Sequence, residues 1–334
     1  MKKKYLIFSV FLLVFPSCET EFDVHAAWEE ITVVYGLLDQ SQDRQYIKIN
    51  KAYLGAGDAL QIANIADSIN FLAEDMEVRL YKLQGQDTVD FINLDTTTAI
   101  LKDDGLFASG IRENIIYVTL EQDSDFVQIG RTYALTIKNT ESGNFVSANT
   151  EVIGVPIPPS PFFTNIHSFS KFGFYNPFQA DSAKFLIKKI NWSGGNFENG
   201  EIYQVDIRFN YKENNIDKFL VWRQSLVGYS NSMSTTLEGA KFFNYLRNNL
   251  EDDNAINREF ISIDVLMTIG TSELATYIAV NTPFEGIAQE RPAYSNINNG
   301  IGLFSARYTY ELLGLELSDY TQDYLKDELN RNFE

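Results

Sequence analysis

Apolar and polar residues alternate along much of this chain, and the clearest case lies in its second half. Every second residue from Tyr203 to Tyr211 is apolar or aromatic, and the residues between them are polar. Successive side chains of a β-strand point to opposite faces of a sheet, so this period of two predicts a half-buried strand. Further strands are predicted at residues 219–222, 260–269 and 302–310.

Shorter segments of the same kind, separated by turn residues, fill the first half of the chain. The predicted strands are residues 31–35, 46–49, 77–81, 115–118, 133–137 and 145–146. We expect the last two to pair across a turn at 141–144. Short strands at this spacing indicate an antiparallel β-sandwich of the immunoglobulin-like or transthyretin-like type. Residues 59–72 are predicted to form a long loop or a short helix.

Helical patterns belong to the second half of the chain. Residues 235–238 have the spacing of a capping box, and apolar residues then recur every four positions from Phe242 to Leu250. Residues four apart share one helix face, so this pattern predicts a helix over 237–250. Two shorter helices are predicted at 272–280 and 319–329.

Proline marks the expected domain boundary. Four of the eight prolines lie in residues 155–161, and proline both fixes φ and removes a backbone donor. This segment is therefore predicted to be a stiff linker. We expect a mainly β protein, with an N-terminal sandwich at 30–154 and a second, β-rich α+β domain with a C-terminal helix at 162–334.

The amino terminus has the layout of a bacterial lipoprotein signal. Three lysines, an apolar run over residues 5–15 and then Cys18, the single cysteine of the chain, follow one another. The apolar run is too short to span a bilayer. Residues 1–17 are thus predicted to be the signal peptide, Cys18 the lipidated residue and residues 18–29 an acylated tether. A plain secretory signal with an incidental cysteine is the alternative.

Acidic residues follow this cysteine closely, at Glu19, Glu21 and Asp23. They resemble the surface-export signals of Bacteroidota lipoproteins, and that resemblance implies the outer leaflet of the outer membrane, facing the medium. An ordinary solvated tether is the alternative interpretation.

The charge of the chain argues against one class of partner. The formal net charge is −18, and loss of the three signal lysines makes the mature part more acidic still. An acidic surface repels phosphate backbones, so we expect no nucleic-acid binding.

Residues 291–304 contain an Asn-Ile pair followed by Gly-x-Gly-x-Phe. This ending, the two-strand opening at 31–54, and the segments at 104–105 and 130–135 resemble a Bacteroidota outer-membrane lipoprotein family of unknown function, domain-of-unknown-function family four-two-four-nine. The resemblance implies a surface or periplasmic lipoprotein, often encoded near TonB-dependent outer-membrane transporters. It carries over no catalytic residue, because none is assigned in that family.

Catalytic and metal-binding patterns are scarce. The chain has two histidines and lacks the Gly-x-Ser-x-Gly, P-loop and dinucleotide-binding fingerprints. The acidic runs at 121–125 and 251–253 do not fit the calcium loop of an EF-hand. We therefore expect no enzyme activity, no cofactor and no metal, although a glycosidase-type carboxylate pair stays open as an alternative.

A dense aromatic stretch follows the proline-rich segment. It has two interpretations: a binding surface for sugar rings or a protein partner, or a buried seam or core. Its members are Phe162, Phe163, Phe169, Phe172, Phe174, Tyr175 and Phe178.

Four short Asp-Ser or Asp-Thr patterns resemble the O-glycosylation signal of Bacteroidota. They predict exposed, modified hydroxyl groups at Ser68, Thr88, Thr96 and Ser182.

Together these features predict a surface-exposed outer-membrane lipoprotein. The first expectation is a non-enzymatic accessory subunit of an outer-membrane protein complex, either a TonB-dependent transporter or an assembly machine. The second is a surface lipoprotein that binds a glycan or another nutrient.

Overall fold

The computed structural model describes residues 29–54, 69–100, 114–154, 171–253, 255–282 and 293–334. This part of the protein is mainly β, which confirms the expected fold class. The strands are β1 (Glu29–Asp39), β2 (Tyr46–Leu54), β3 (Met76–Gln84), β4 (Asp87–Asn93), β5 (Asp95–Thr97), β6 (Ile116–Val118), β7 (Thr132–Asn139), β8 (Phe145–Glu151), β9 (Ile187–Trp192), β10 (Ile202–Glu213), β11 (Ile216–Arg223), β12 (Val227–Gly228), β13 (Met233–Glu238), β14 (Arg258–Gly270) and β15 (Ile301–Leu315). The α-helices are α1 (Gly239–Asn249), α2 (Ser272–Asn281) and α3 (Asp319–Asp327). Short 3-10 helices lie at Ala73–Asp75, Glu121–Asp123, Asp181–Ala183 and Gly194–Asn196.

One nine-stranded sheet joins the two halves of the chain. Its order is β11-β10-β14-β15-β1-β2-β6-β5, with β12 pairing to β10. The strand β1 lies parallel to β15, with Tyr35 opposite Leu303 and Asp39 opposite Arg307. All other strand pairs in this sheet are antiparallel. The first and last described strands of the large sheet are therefore direct neighbours.

A smaller sheet packs on the β1–β2 side of the large one. Its order is β4-β3-β7-β8, and the expected pairing of β7 with β8 is confirmed. One buried cluster takes side chains from both sheets, among them Val34, Leu80, Leu135 and Phe304. Two sheets thus enclose the first core, as in a sandwich.

The second core lies under the other end of the large sheet. There α1, α3 and the two-stranded pair β9–β13 cover one face of β10 and β14. Phe209, Phe242, Val265 and Leu325 are among its buried members. The two cores do not divide at residue 155, because Phe304, far along the chain, belongs to the first one.

The alternating residues of Tyr203 to Tyr211 lie on β10 as predicted, with the apolar set buried. The predicted start of the first helix is wrong. Residues 235–237 form strand β13 instead, paired with β9, and α1 begins at Gly239 without a side-chain cap. A Cβ at Gly239 would lie 2.1 Å from the carbonyl oxygen of Phe174, so a long-range contact fixes where the helix starts.

Candidate functional site

A cleft of about 570 Å³ opens on the outer face of the large sheet. Along β1, Val34 and Leu38 point into the first core, so the alternating side chains of Tyr35 and Leu37 face away from it. The cleft lies between this outer face, the turn after β1 and helix α2. We call it the sheet-face cleft.

Helix α2 forms one wall because its first turn is fastened to the sheet. The hydroxyl groups of Thr271 and Ser305 lie 2.7 Å apart, and both residues are buried. Leu274, Tyr277 and Ile278 then line the cleft, since residues three and four apart share a helix face. The wall is therefore set by the same sheet that forms the floor.

Tyrosines give the cleft an aromatic rim. The rings of Tyr35 and Tyr277 meet edge to face, with centroids 6.2 Å apart, and their hydroxyl oxygens lie 3.4 Å apart. Hydrogen bonding with Tyr277, together with partial burial, raises the pKa of Tyr35 to about 12. Tyr46, also exposed, lines the cleft beside them. A phenol hydroxyl group can both donate and accept hydrogen bonds.

An ion pair forms part of the floor. Nε of Arg307 donates to Oδ2 of Asp39 at 3.1 Å. The Asp39 side chain is 4% exposed, whereas the Arg307 side chain is 45% exposed. The Nη groups of Arg307 have no hydrogen-bond partner among the described residues. The aspartate thus holds the guanidinium from beneath and leaves its outer edge to solvent.

Gln45, which is buried, braces the turn that carries this aspartate. Its amide oxygen accepts from the backbone N–H of Asp39 at 2.7 Å, and its amide nitrogen donates to the carbonyl oxygens of Asp39 and Gln42 at 3.0 Å each. A side chain that bonds three backbone groups fixes the turn before any ligand arrives.

A second arginine lies at the rim. Nε of Arg44 donates to the Thr119 carbonyl at 3.1 Å, and Nη1 lies 3.9 Å from a carboxylate oxygen of exposed Glu121. Arg44 and Arg307 are the positive groups of the lining and Asp39 is its negative one. Each arginine thus has one carboxylate partner, and the exposed guanidinium of Arg307 lies on a chain whose net charge is −18.

The structure divides the aromatic stretch predicted from sequence. Phe172 and Phe174 are 1% and 0% exposed and pack in the second core, so they are not part of a binding surface. Tyr175 is half-buried at the edge of that core. Phe162, Phe163 and Phe169 lie outside the described residues.

An exposed aromatic patch nevertheless lies next to this core. Phe178 is 80% exposed and touches Tyr320 of α3, with ring centroids 5.4 Å apart. Phe185 and Ile187, both also exposed, lie on the neighbouring segment. We call these four residues the aromatic patch.

Of the four hydroxyl groups predicted to carry sugars, Thr88 is exposed on β4 and Thr96 is half-buried on β5. Ser182 lies in the short helix Asp181–Ala183. Ser68 lies outside the described residues, as do Cys18 and the proline-rich segment 155–161.

A larger cavity, of about 800 Å³, lies where Gly154 meets Glu198. Five of its eleven lining residues are glycines, and Glu198, Glu201 and exposed Tyr229 are among those that supply side chains. It lacks the braced ion pair and the convergent hydroxyl groups of the sheet-face cleft. We therefore take the smaller cleft as the candidate site.

In the described ranges, no group of three or more His, Cys, Asp and Glu side chains could hold a metal ion. None of the helices in this part of the chain has the length and apolar character that a membrane span requires. No protein-family model matches the chain, and no curated protein is significantly similar to it.

Sequence patterns did not single out the cleft. Its residues come from three separated segments, around Tyr35, Tyr277 and Arg307. The one local signal is Tyr35 itself, an outward-facing aromatic residue in a strand whose other face is apolar. Nothing local pairs Asp39 with an arginine 268 residues away.

Proposed function

We propose that the protein is a non-enzymatic binding protein, anchored at the outer membrane through Cys18, and that the sheet-face cleft is its ligand site. The observation that carries the proposal is the braced, exposed guanidinium of Arg307 in the same cleft as the tyrosine pair. Ligand sites characteristically combine apolar walls with a few fixed polar groups at a junction between structural units. This geometry favours the second function expected from sequence over the first.

The anchoring part of the proposal is supported by the amino-terminal sequence. The positive start, the short apolar run and the single cysteine have the order that lipidation requires. Intact-mass measurement of the membrane-extracted protein tests it: an unmodified Cys18 would overturn the anchor.

Binding to an array of neutral and acidic saccharides, with the full chain in detergent, tests the ligand site. Tyr35→Ala removes an exposed ring at the rim and is expected to reduce binding at least tenfold. Tyr229→Ala is the matched control, because Tyr229 is 49% exposed and lines the other cavity. No binding by the unmodified chain, or a loss confined to the Tyr229 variant, would overturn this assignment.

The aromatic patch favours a second candidate function, the accessory subunit of an outer-membrane transporter or assembly complex. Exposed apolar side chains that contact one another, as Phe178 and Tyr320 do, mark surfaces that contact other proteins. Phe178→Ser is expected to lower the yield of cross-linked complex in native membranes. Phe219→Ser is the control, since Phe219 is exposed on the edge strand β11 of the large sheet; equal losses from both variants would contradict this function.

A further inference from the structure

We infer that the sheet-face cleft takes an acidic saccharide, a pyranose ring that carries a carboxylate or sulfate group. This inference rests on the proposed ligand-binding function and names the chemical class of the ligand. It depends on three features of the cleft: the fixed guanidinium, the tyrosine rim and the absence of a free strand edge.

The guanidinium supplies the anion site. Because Asp39 occupies Nε of Arg307, the outer edge of the group presents its two Nη atoms in a plane. This planar fork matches two oxygens of a carboxylate or sulfate group. Asp39 is largely buried and also accepts from the backbone N–H of Ser41 at 3.0 Å, so it is already engaged from below.

The tyrosines supply the ring site. Tyr35 and Tyr46 are exposed, and Tyr277 meets Tyr35 edge to face. Aromatic rings of this kind offer an apolar face and a polar hydroxyl tip, which complement the apolar face and the hydroxyl groups of a pyranose. The hydroxyl group of Tyr35 can donate a hydrogen bond to a ligand as well as accept one. Leu274 and Leu303 complete the apolar surface.

The sheet topology argues against an extended peptide as the occupant. Such peptides commonly add a strand to an exposed sheet edge. The strands under the cleft are interior ones: β1 lies between β15 and β2, and β15 lies between β14 and β1. Tyr35 pairs with β2 on one side and with β15 on the other, and the side chain of Asn296 bonds both backbone groups of Phe304. Recognition here therefore depends on side chains.

Calorimetric titration of the full chain in detergent tests the ligand class. The probes are an oligogalacturonate, a sulfated galactan oligosaccharide and a neutral galactan oligosaccharide of equal length. We expect at least tenfold tighter binding of one or both acidic probes than of the neutral one, with an affinity that falls as salt rises. This comparison needs no variant and so does not depend on a mutant folding.

Arg307→Met is expected to abolish the preference for the acidic probe, and Arg307→Lys to restore part of it. Arg79→Met is the control, because Arg79 is 39% exposed on β3 of the other sheet. Equal binding of all probes, or a preference that survives Arg307→Met, would overturn the inference and leave the ligand site standing. Absence of binding to any probe would overturn both.

Discussion

Two aspartate–arginine pairs lie on the same face of the large sheet, and they differ in what surrounds the arginine. Asp264 accepts from Arg208 at 2.8 Å, from Asn210 at 2.6 Å and from the backbone N–H of Gly314 at 2.8 Å. Each of these donors belongs to a strand of the sheet itself. Asp39, in contrast, is held by a turn residue and by an arginine that faces the cleft.

The Asp264–Arg208 pair therefore stabilises the sheet, whereas the Asp39–Arg307 pair holds an arginine where a ligand can reach it. Both aspartates are almost fully buried, so each requires a partner. Arg208 is only 29% exposed, whereas Arg307 is 45% exposed and lines a cavity. A buried carboxylate with an exposed arginine is thus the arrangement that keeps a cation fixed and still available.

The largest expected effect is on the free energy of unfolding, and it comes from the Asp264–Arg208 pair. Asp264→Asn removes the negative charge of a carboxylate that accepts three hydrogen bonds. Breaking a buried pair of this kind lowers the free energy of unfolding by about 3 kcal/mol. We expect a clear drop in the denaturant midpoint with unchanged saccharide affinity. Asp217→Asn, at an exposed position on the same sheet, is the control. A cost no larger than that of Asp39→Asn would mean that the two pairs are alike.

The same pair also predicts a pH dependence. Burial alone would raise the pKa of Asp264, but hydrogen bonds from Gly314, Asn210 and Arg208 hold it below its ordinary value of 3.8. A depressed pKa stabilises the folded state above that value, and this stability is lost as the pH falls through the folded-state pKa. Asp264→Asn should therefore flatten this part of the acid unfolding curve.

A smaller effect on the free energy of unfolding is expected at the Asp39–Arg307 pair. Asp39→Asn weakens the hold on a half-exposed arginine, so we expect a loss of about 1–2 kcal/mol. Saccharide binding should nevertheless weaken more than in the Asp264 variant, because Arg307 loses its fixed position. Titration of both variants with the same acidic probe measures this contrast. Equal affinities would remove the distinction between the two pairs.

The smallest expected effect is on a single hydroxyl group. Tyr277→Phe removes the partner that contributes most to the raised pKa of Tyr35. We expect the pKa of Tyr35 to move down from about 12 toward its ordinary value of 10.0. Ultraviolet titration of the Tyr277→Phe protein, with Tyr35→Phe as the reference, measures the shift. An unchanged value would show that burial alone is responsible.

Local sequence patterns predicted most of the strands, whereas the start of α1 depends on long-range contacts. Strand β10 was readable because its apolar residues alternate over its whole length. Strand β4 was not, since nearly all of its residues are exposed and polar ones prevail. The start of α1 depends on how closely Gly239 approaches Phe174, which no local pattern records.

The candidate site follows the same rule. A single outward tyrosine is visible in the sequence, but its role depends on Tyr277 and Arg307, which α2 and the sheet bring into the same cleft. Of the two interpretations of the aromatic stretch, the buried core holds for Phe172 and Phe174. The sequence left both open because aromatic residues are common in buried cores and in binding surfaces alike.

The parallel neighbours β1 and β15 also affect how a newly made chain matures. A polypeptide delivered amino end first presents β1 long before β15 exists, and until then one side of β1 has no strand to pair with. The first core also lacks Phe304 during that interval. Sequential, domain-by-domain maturation is thereby prevented, and the final assembly waits for the carboxyl-terminal segment. A translation product cut short before Ile301 would leave an exposed edge that invites aggregation.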